Sequence, residues 1–497
     1  MKFIMPLLLL CSAVLALAYA SATPVGAAPD EGAHLRYVTY LVENRSLPSL
    51  NITERRASHN DPNYEFHQSP LYYVISVPFH QLFQAVGGGG RDAGAAGCRF
   101  VSLLAGLCGT WLIWKIGLEL YPGRPWLAAT AAAISALLPM RLSLMASVGN
   151  DTLAEAVGSL ALLLMVRAMS GGWSLQRAAL LGGVLGLAVL VKQNHILLLP
   201  PAMIAVYLAC CPSGGSESSP ATVRTFFATG FVTVGVFVAV SGWWFARNHL
   251  LYGDPLGMRV FNWYFADTPL WQYFRDMGYT FPAYLGRKVF PTTFASFWGA
   301  FGHLSPEHPE WFMGFYRRGE IGEPVESVLG LFWPFHDYPP RSWIYALLVF
   351  ACWIAVAGWV KAYVAWKGAS DPAVPVAPEP KGGRIDRRKA TRKPAAAPEP
   401  HAEEPRPSML GSARSRAITV LSVHAVFVLA GFLNFNSTYF QAQGRYLFPA
   451  LAALSLALAG GWLQFARRRE AAAGCGIAAA VLSLATYALV AVIQPGF

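Results

Sequence analysis

Five groups of polar residues interrupt an otherwise apolar chain, and their types suit chemistry on a phosphate. Pro29-Asp30-Glu31-Gly32-Ala33-His34 sets two carboxylates and an imidazole shortly beyond an apolar N-terminal run. Adjacent acids repel unless water, a metal or a cation relieves them, so the pair is a candidate general base or metal carboxylate; the competing reading is a helix start capped by Asp30. Asn150-Asp151 precedes another apolar run and suits an Asx cap as well as a ligand contact. In Lys192-Gln193-Asn194-His195, between two apolar runs, Lys192 either snorkels to water or contacts a phosphate. Gln443-Gly444-Arg445-Tyr446-Leu447-Phe448-Pro449 puts a cation where a span begins. A positive charge there opposes the helix macrodipole, so Arg445 reads as an anion-binding residue. Arg247-Asn248, after Trp243-Trp244, either binds a headgroup phosphate or anchors a helix end.

The elements that must position these residues are membrane spans. Of 497 residues, 55% are hydrophobic and only 13% charged, with a mean hydropathy of +0.39. Apolar runs of about 20 residues, the length that crosses a bilayer, recur along the chain. The pattern predicts an all-α polytopic membrane protein with about 11 transmembrane helices, beginning with residues 4–20, whose Ala18-Tyr19-Ala20 ending resembles a cleavage site although an uncleaved helix is expected. The segment 70–86, with Pro70, Pro78, His80 and Gln81, is the one ambiguous run. If it lies in the interface, Lys115, Arg124, Arg167, Arg177, Arg224, Lys361 and Arg467-Arg468-Arg469 all fall on the inner side, as the positive-inside rule requires. The net charge of +11 is then a topological feature and implies no nucleic acid.

The same parity gathers Asp30, Glu31, His34, Glu65, His67, Asn150, Asp151, Lys192, Arg247, Asn248, Gln443 and Arg445 on the outer side. The expected organisation is an N-terminal transmembrane module over 1–247, whose first outer loop, 22–98, holds juxtamembrane helices such as His34–Leu47. A small, mostly helical outer lobe covers 248–341 and carries Trp263, Trp271, Trp298, Trp311 and Trp333. A span at 342–366, a disordered basic inner linker at 367–415 and C-terminal spans at 416–497 complete it. The linker's Pro-rich, weakly apolar composition does not support a core. Seven cysteines show no metal-ligand spacing, and there is no phosphate-binding glycine loop.

Outer carboxylates with outer cations suit group transfer from a lipid-linked phosphate: a carboxylate removes the proton of an acceptor hydroxyl and cations stabilise the departing phosphate. Asp30-Glu31 after the first helix, followed by His67-Gln68-Ser69-Pro70-Leu71-Tyr72-Tyr73, resembles the GT-C superfamily of membrane glycosyltransferases, which includes protein O-mannosyltransferases and lipid A aminoarabinose transferases. The Arg247–Leu256 and Gln443–Pro449 segments look closer to a bacterial branch of that superfamily. Ser69 departs from the pattern, where relatives often carry a second proline.

The resemblance implies a polyprenyl-phosphate-linked sugar donor, an envelope acceptor (lipid, polysaccharide or protein), usually inversion, and an active site facing outward from a plasma or inner membrane. It also implies Asp30 or Glu31 as base or metal carboxylate, with a divalent metal on Asp30, Glu31 and His67 as an option. His34, Glu65, His67, Asn150, Asp151, Lys192, Arg247, Asn248, Gln443 and Arg445 are the candidate substrate contacts. Two other classes compete: a transporter or flippase of lipid-linked saccharide, and a non-catalytic scaffold of a polysaccharide assembly complex.

Overall fold

The computed structural model describes residues 3–50, 62–210, 220–264, 271–299, 342–370 and 412–494. Helix follows helix, with no strand among them. The N-terminal part comprises α1 (Ile4–Ala22), α2 (Glu31–Asn44), α3 (Leu71–Val86), α4 (Arg91–Leu120), α5 (Pro125–Leu137), α6 (Pro139–Met145), α7 (Asp151–Gly171), α8 (Leu175–Val191), α9 (Leu199–Cys210) and α10 (Pro220–Tyr252). Four short helices follow, α11 (Met258–Tyr264), α12 (Trp271–Asp276), α13 (Phe281–Tyr284) and α14 (Phe290–Trp298). The last are α15 (Ser342–Ser370), α16 (Ala413–Asn436), α17 (Leu451–Leu463) and α18 (Glu470–Ala488).

Nine helices among the described residues are long and apolar enough to cross a membrane. A tenth results if α5 and α6 are taken as one span bent by 63°. The bend follows from Pro139, which pushes the preceding residue out of the helical region; Leu138 stands at φ −63° and ψ 120°. α8 is apolar but shorter, at 17 residues. α3 carries Pro78 internally, spans 16 residues and is not among the membrane-length helices.

α1 is built into the bundle. Its Tyr19 hydroxyl donates to the Ala485 carbonyl at 2.8 Å and Ser12 to that of Ala136 at 2.9 Å. The main apolar core is formed by α4, α5, α7, α8, α9, α16 and α17. A second cluster around Tyr37, Tyr72 and Tyr73 joins α2 and α3 to α4 and α7. At the end of the bundle away from Asp30, Arg124 pairs with Glu470 and Arg167 with Glu119, each at 2.7 Å. There too Arg416 donates to the Met169 carbonyl at 2.9 Å.

The expected outer lobe is only partly separate. α14 runs back into the bundle and places Phe297 and Trp298 in the main core. Residues 300–341, with Trp311 and Trp333, lie outside the described residues, as does 371–411 of the basic linker.

Candidate functional site

Asp30 holds the N-cap position of α2 but does not cap it. Its backbone is left-handed, at φ 62° and ψ −1°, and its side chain makes no cap hydrogen bond. An Asx cap uses an extended backbone, and a left-handed non-glycine residue costs about 1–3 kcal/mol, kept only where surroundings enforce it. Here the turn directs the carboxylate elsewhere: Oδ1 accepts from the Tyr64 hydroxyl at 2.7 Å, and Oδ2 accepts from Arg445 Nη2.

Arg445 belongs to a 3-10 turn, Gly444–Ala450, leading into α17. Its position is set by α14. The Gly444 N–H donates to Ser296 Oγ at 2.7 Å, and a Cβ on Gly444 would fall 2.2 Å from the Phe297 nitrogen. Only a glycine lets the two backbones approach so closely.

The guanidinium continues inward. Arg445 Nη1 lies 3.7 Å from Asp151 Oδ2, and Lys192 Nζ donates to Asp151 Oδ1. Lys192 is extended, at φ −152°, because it breaks the helix between α8 and the 3-10 turn Gln193–Leu198. Asp30, Arg445, Asp151 and Lys192 thus form a row of alternating charge drawn from four segments. Asp30 is its outermost and most accessible member, 30% exposed against 6% for Arg445. Arg445 Nε is buried without a hydrogen-bond partner.

Burial alone would raise the Asp30 pKa, but the charges of Arg445 and His34, with hydrogen bonds from Arg445 and Tyr64, hold it well below the usual carboxylate range. Glu65 behaves oppositely. It is buried, its Oε2 has no hydrogen-bond partner, and burial raises its pKa against the opposing charge of His34. His34 Nδ1 is 2.7 Å from the Tyr73 hydroxyl, with its ring stacked on Tyr73. His67 donates from Nδ1 to the Tyr64 carbonyl at 2.7 Å, and burial lowers its pKa to about 4.

Glu31, expected as base or metal carboxylate, is instead a buried strut. It is wholly buried, and Arg99 grips it through Nε at 2.8 Å and Nη2 at 2.9 Å. Its oxygens also accept the backbone N–H of Val148 at 2.9 Å and of Gly26 at 2.8 Å. Arg99 donates further to the carbonyls of Ala20, Thr23 and Pro24. The pair therefore ties α2 and α4 to the end of α1 and the start of α7.

Asn150 does not cap α7 either; its Nδ2 donates to Gln68 Oε1 and the Val191 carbonyl, both at 3.3 Å. Three expected contacts stand apart from the charged row. Arg247 donates to the Pro48 carbonyl and lies over Trp244, Asn248 reaches the Pro255 carbonyl at 3.4 Å, and Gln443 donates to Gln441 at 3.4 Å. Arg247 links the end of α10 to the segment after α2, and Asn248 closes the turn after α10.

Among the described residues no three His, Cys, Asp or Glu side chains converge on a metal position. Asp30, Glu31 and His67 hold the partners just given, so the proposed metal set does not fit this arrangement.

One constellation escaped the sequence reading. Arg141, in α6, and Glu155, in α7, form a fully enclosed fork at 2.6 and 2.9 Å, closed by the Gly106 carbonyl and Thr110. Glu155 stands one turn from Asp151 and on the same face of α7. Two opposite charges inside apolar runs were the available signal, since such residues survive in a membrane only when paired.

Residues 77–244 match the family model described as dolichyl-phosphate-mannose-protein mannosyltransferase. No curated protein sequence matches the chain. Among solved structures, the oligosaccharyltransferase of Archaeoglobus fulgidus in complex with Zn and sulfate is similar over 98% of this chain and 53% of that one, at 14% identity and a TM-score of 0.50. ArnT from Cupriavidus metallidurans bound to undecaprenyl phosphate aligns over 92% of this chain and 77% of that one, at 14% identity and a TM-score of 0.36. The chain spans about half the length of the archaeal protein. The chain is thus similar to that mannosyltransferase family over residues 77–244, and this helical, polytopic membrane protein shares its fold with the archaeal oligosaccharyltransferase.

Proposed function

We propose that the chain transfers a sugar from a polyprenyl-phosphate-linked donor to a hydroxyl of an envelope lipid, polysaccharide or protein, at the Asp30 end of the bundle and outside the cytosol. The observation that carries this reading is the Asp30–Arg445–Asp151–Lys192 row, whose outermost pair joins a carboxylate to a cation 415 positions away. The matched family is named for a donor of the same chemical class.

In the resting pair Asp30 is a poor base, because Arg445 stabilises its charge. A donor phosphate is a better partner for Arg445, since a guanidinium binds phosphate oxygens in a fork. Once Arg445 turns to the donor, Asp30 loses its counter-charge and gains basicity. It then takes the proton of the acceptor hydroxyl as that oxygen bonds to the anomeric carbon. The bond from that carbon to the phosphate oxygen breaks, and the polyprenyl phosphate leaves with its charge on Arg445 and Lys192. A single displacement of this kind inverts the anomeric centre. Tyr64 steadies Asp30, and Glu65, with one oxygen unpartnered, is placed to receive a hydroxyl of the acceptor. Glu31 positions the α2 start through Arg99 and does not touch substrate. No step is routed through a metal ion.

The test is a deletion strain analysed by mass spectrometry of polyprenyl-linked sugars and envelope glycans. Loaded donor is expected to accumulate and one glycan to disappear, with restoration by the native chain but not by Asp30→Asn accumulated to the same level. Unchanged donor and glycan pools on deletion would overturn the proposal. Movement of donor across vesicles without any transfer product would favour a flippase.

A further inference from the structure

The opposite end of the bundle carries a groove that the transfer chemistry does not use. It is built where α15 crosses α17 with backbones in contact. A Cβ on Gly358 would fall 1.9 Å from the Gly461 carbonyl oxygen, and one on Gly461 2.2 Å from that of Ala355. Nearly a turn beyond each glycine stand Lys361 and Gln464, so this crossing brings the Lys361 ammonium to the loop that leaves α17. Lys361 Nζ lies 5.0 Å from the Phe465 ring and 3.5 Å from the Gln464 carbonyl. Arg467 Nε donates to Gln464 Oε1 at 2.7 Å. With Arg468 and Arg469 these residues line a groove of about 440 Å³, walled by Phe465 and alanine side chains.

Four cations meet there. The neighbouring acid, Glu470, is taken by Arg124 at 2.7 Å, and no ion pair reaches Lys361, Arg467, Arg468 or Arg469 among the described residues. The positive-inside rule explains cations at this end but not their convergence on a concave, partly apolar surface. Beside the groove α15 exposes Val356, Val360 and Val364 along its length, with Tyr363 and Trp366 at the level of the cations. That is the layout a phospholipid needs: aromatic residues at headgroup depth, an apolar strip for acyl chains, and basic side chains at the phosphate.

We propose that this groove is a binding site for an anionic phospholipid, whose headgroup phosphate sits among Lys361, Arg467, Arg468 and Arg469 and whose chains lie along α15. The inference stands independently of the transfer reading. The test is native mass spectrometry of the purified full chain with an equal mixture of phosphatidylglycerol and phosphatidylcholine. The native chain is expected to retain phosphatidylglycerol preferentially, and Lys361→Gln/Arg468→Gln/Arg469→Gln to lose the preference, by roughly fivefold for each cation. A control outside the groove, Lys115→Gln/Arg224→Gln, is expected to keep it. If the triple variant does not accumulate, Arg468→Gln alone carries the test. Equal retention of the two lipids by the native chain, an unaltered preference in the groove variant, or an equal loss in the control would each overturn the proposal. Displacement of phosphatidylglycerol by millimolar inorganic phosphate would assign the groove to a soluble phosphate and overturn the lipid assignment.

Discussion

Replacing Asp30 by asparagine is expected to tighten donor binding while abolishing transfer. Two unit charges about 4 Å apart attract by roughly 4 kcal/mol at an effective dielectric of about 20. Asp30 is 30% exposed, so solvent reduces the share that the donor must overcome to about 2 kcal/mol. Removing the competing carboxylate returns that share to donor binding, an increase of up to about 30-fold in affinity. The same substitution removes the base, and transfer should fall by about 10²–10⁴. Arg445→Gln should behave differently, weakening donor binding and slowing transfer together. In that background Asp30→Asn should recover part of the lost stability, since it removes a carboxylate left without its cation. The assay is reconstitution in vesicles with a polyprenyl-phosphate sugar, donor binding measured by quenching of intrinsic tryptophan fluorescence and product by mass spectrometry. Weaker donor binding by the Asp30→Asn chain, or transfer within a few-fold of native, would refute the competition between Asp30 and phosphate for Arg445.

Three further expectations concern residues around that pair. Glu31→Gln breaks a buried ion pair and should destabilise the chain by about 3–5 kcal/mol, read as a lower melting temperature in detergent; a normally melting variant without transfer would instead assign Glu31 to the chemistry. Gly444→Ala retains every charged residue but drives a methyl group onto the Phe297 backbone, so transfer should fall at least about tenfold through displacement of Arg445, and native transfer rates would contradict the positioning role of α14. His67 has its pKa lowered to about 4 from an ordinary value near 6.5. Below the ordinary value the unfolded chain takes up a proton that the fold resists, so stability is lost as pH falls from about 6.5 to 4, by at most about 3 kcal/mol. His67→Gln should therefore flatten the melting temperature across that pH range, and an unchanged pH profile would contradict the burial of a neutral His67.

Much of this was legible in the sequence because membrane helices follow from composition over about 20 residues, a long-range average that single contacts rarely disturb. The grouping of Asp30, Asp151, Lys192 and Arg445 followed from charge parity, since the positive-inside rule assigns an end to every span at once. What parity cannot resolve is which residues at one end touch. Arg247 and Asn248 satisfied the same rule, yet Arg247 donates to the Pro48 carbonyl in the segment after α2 and Asn248 to the Pro255 carbonyl in its own turn. Asp30 and Glu31 look interchangeable in the chain. The left-handed turn at Asp30 and the Arg99 fork on Glu31 divide them, and both depend on tertiary contacts. The Asx caps expected at Asp30 and Asn150 were the local optimum, and it was displaced by partners distant in sequence: Arg445 for one, Gln68 and Val191 for the other.

The Arg141–Glu155 fork also bears on how the chain enters its membrane. Arg141 belongs to the broken α5–α6 span and Glu155 to the next one, α7, so the two charges emerge from the ribosome in succession, 14 residues apart. A charge at a helix centre costs about 2.5–3.5 kcal/mol to insert alone into lipid, and Arg141 and Glu155, each close to a helix end, carry a smaller share of that cost. Joined, they present the surrounding hydrocarbon with a neutral, internally hydrogen-bonded unit. The fork thus favours joint insertion of α5–α6 and α7 over insertion one at a time, and the 63° bend between α5 and α6 sits two residues before Arg141.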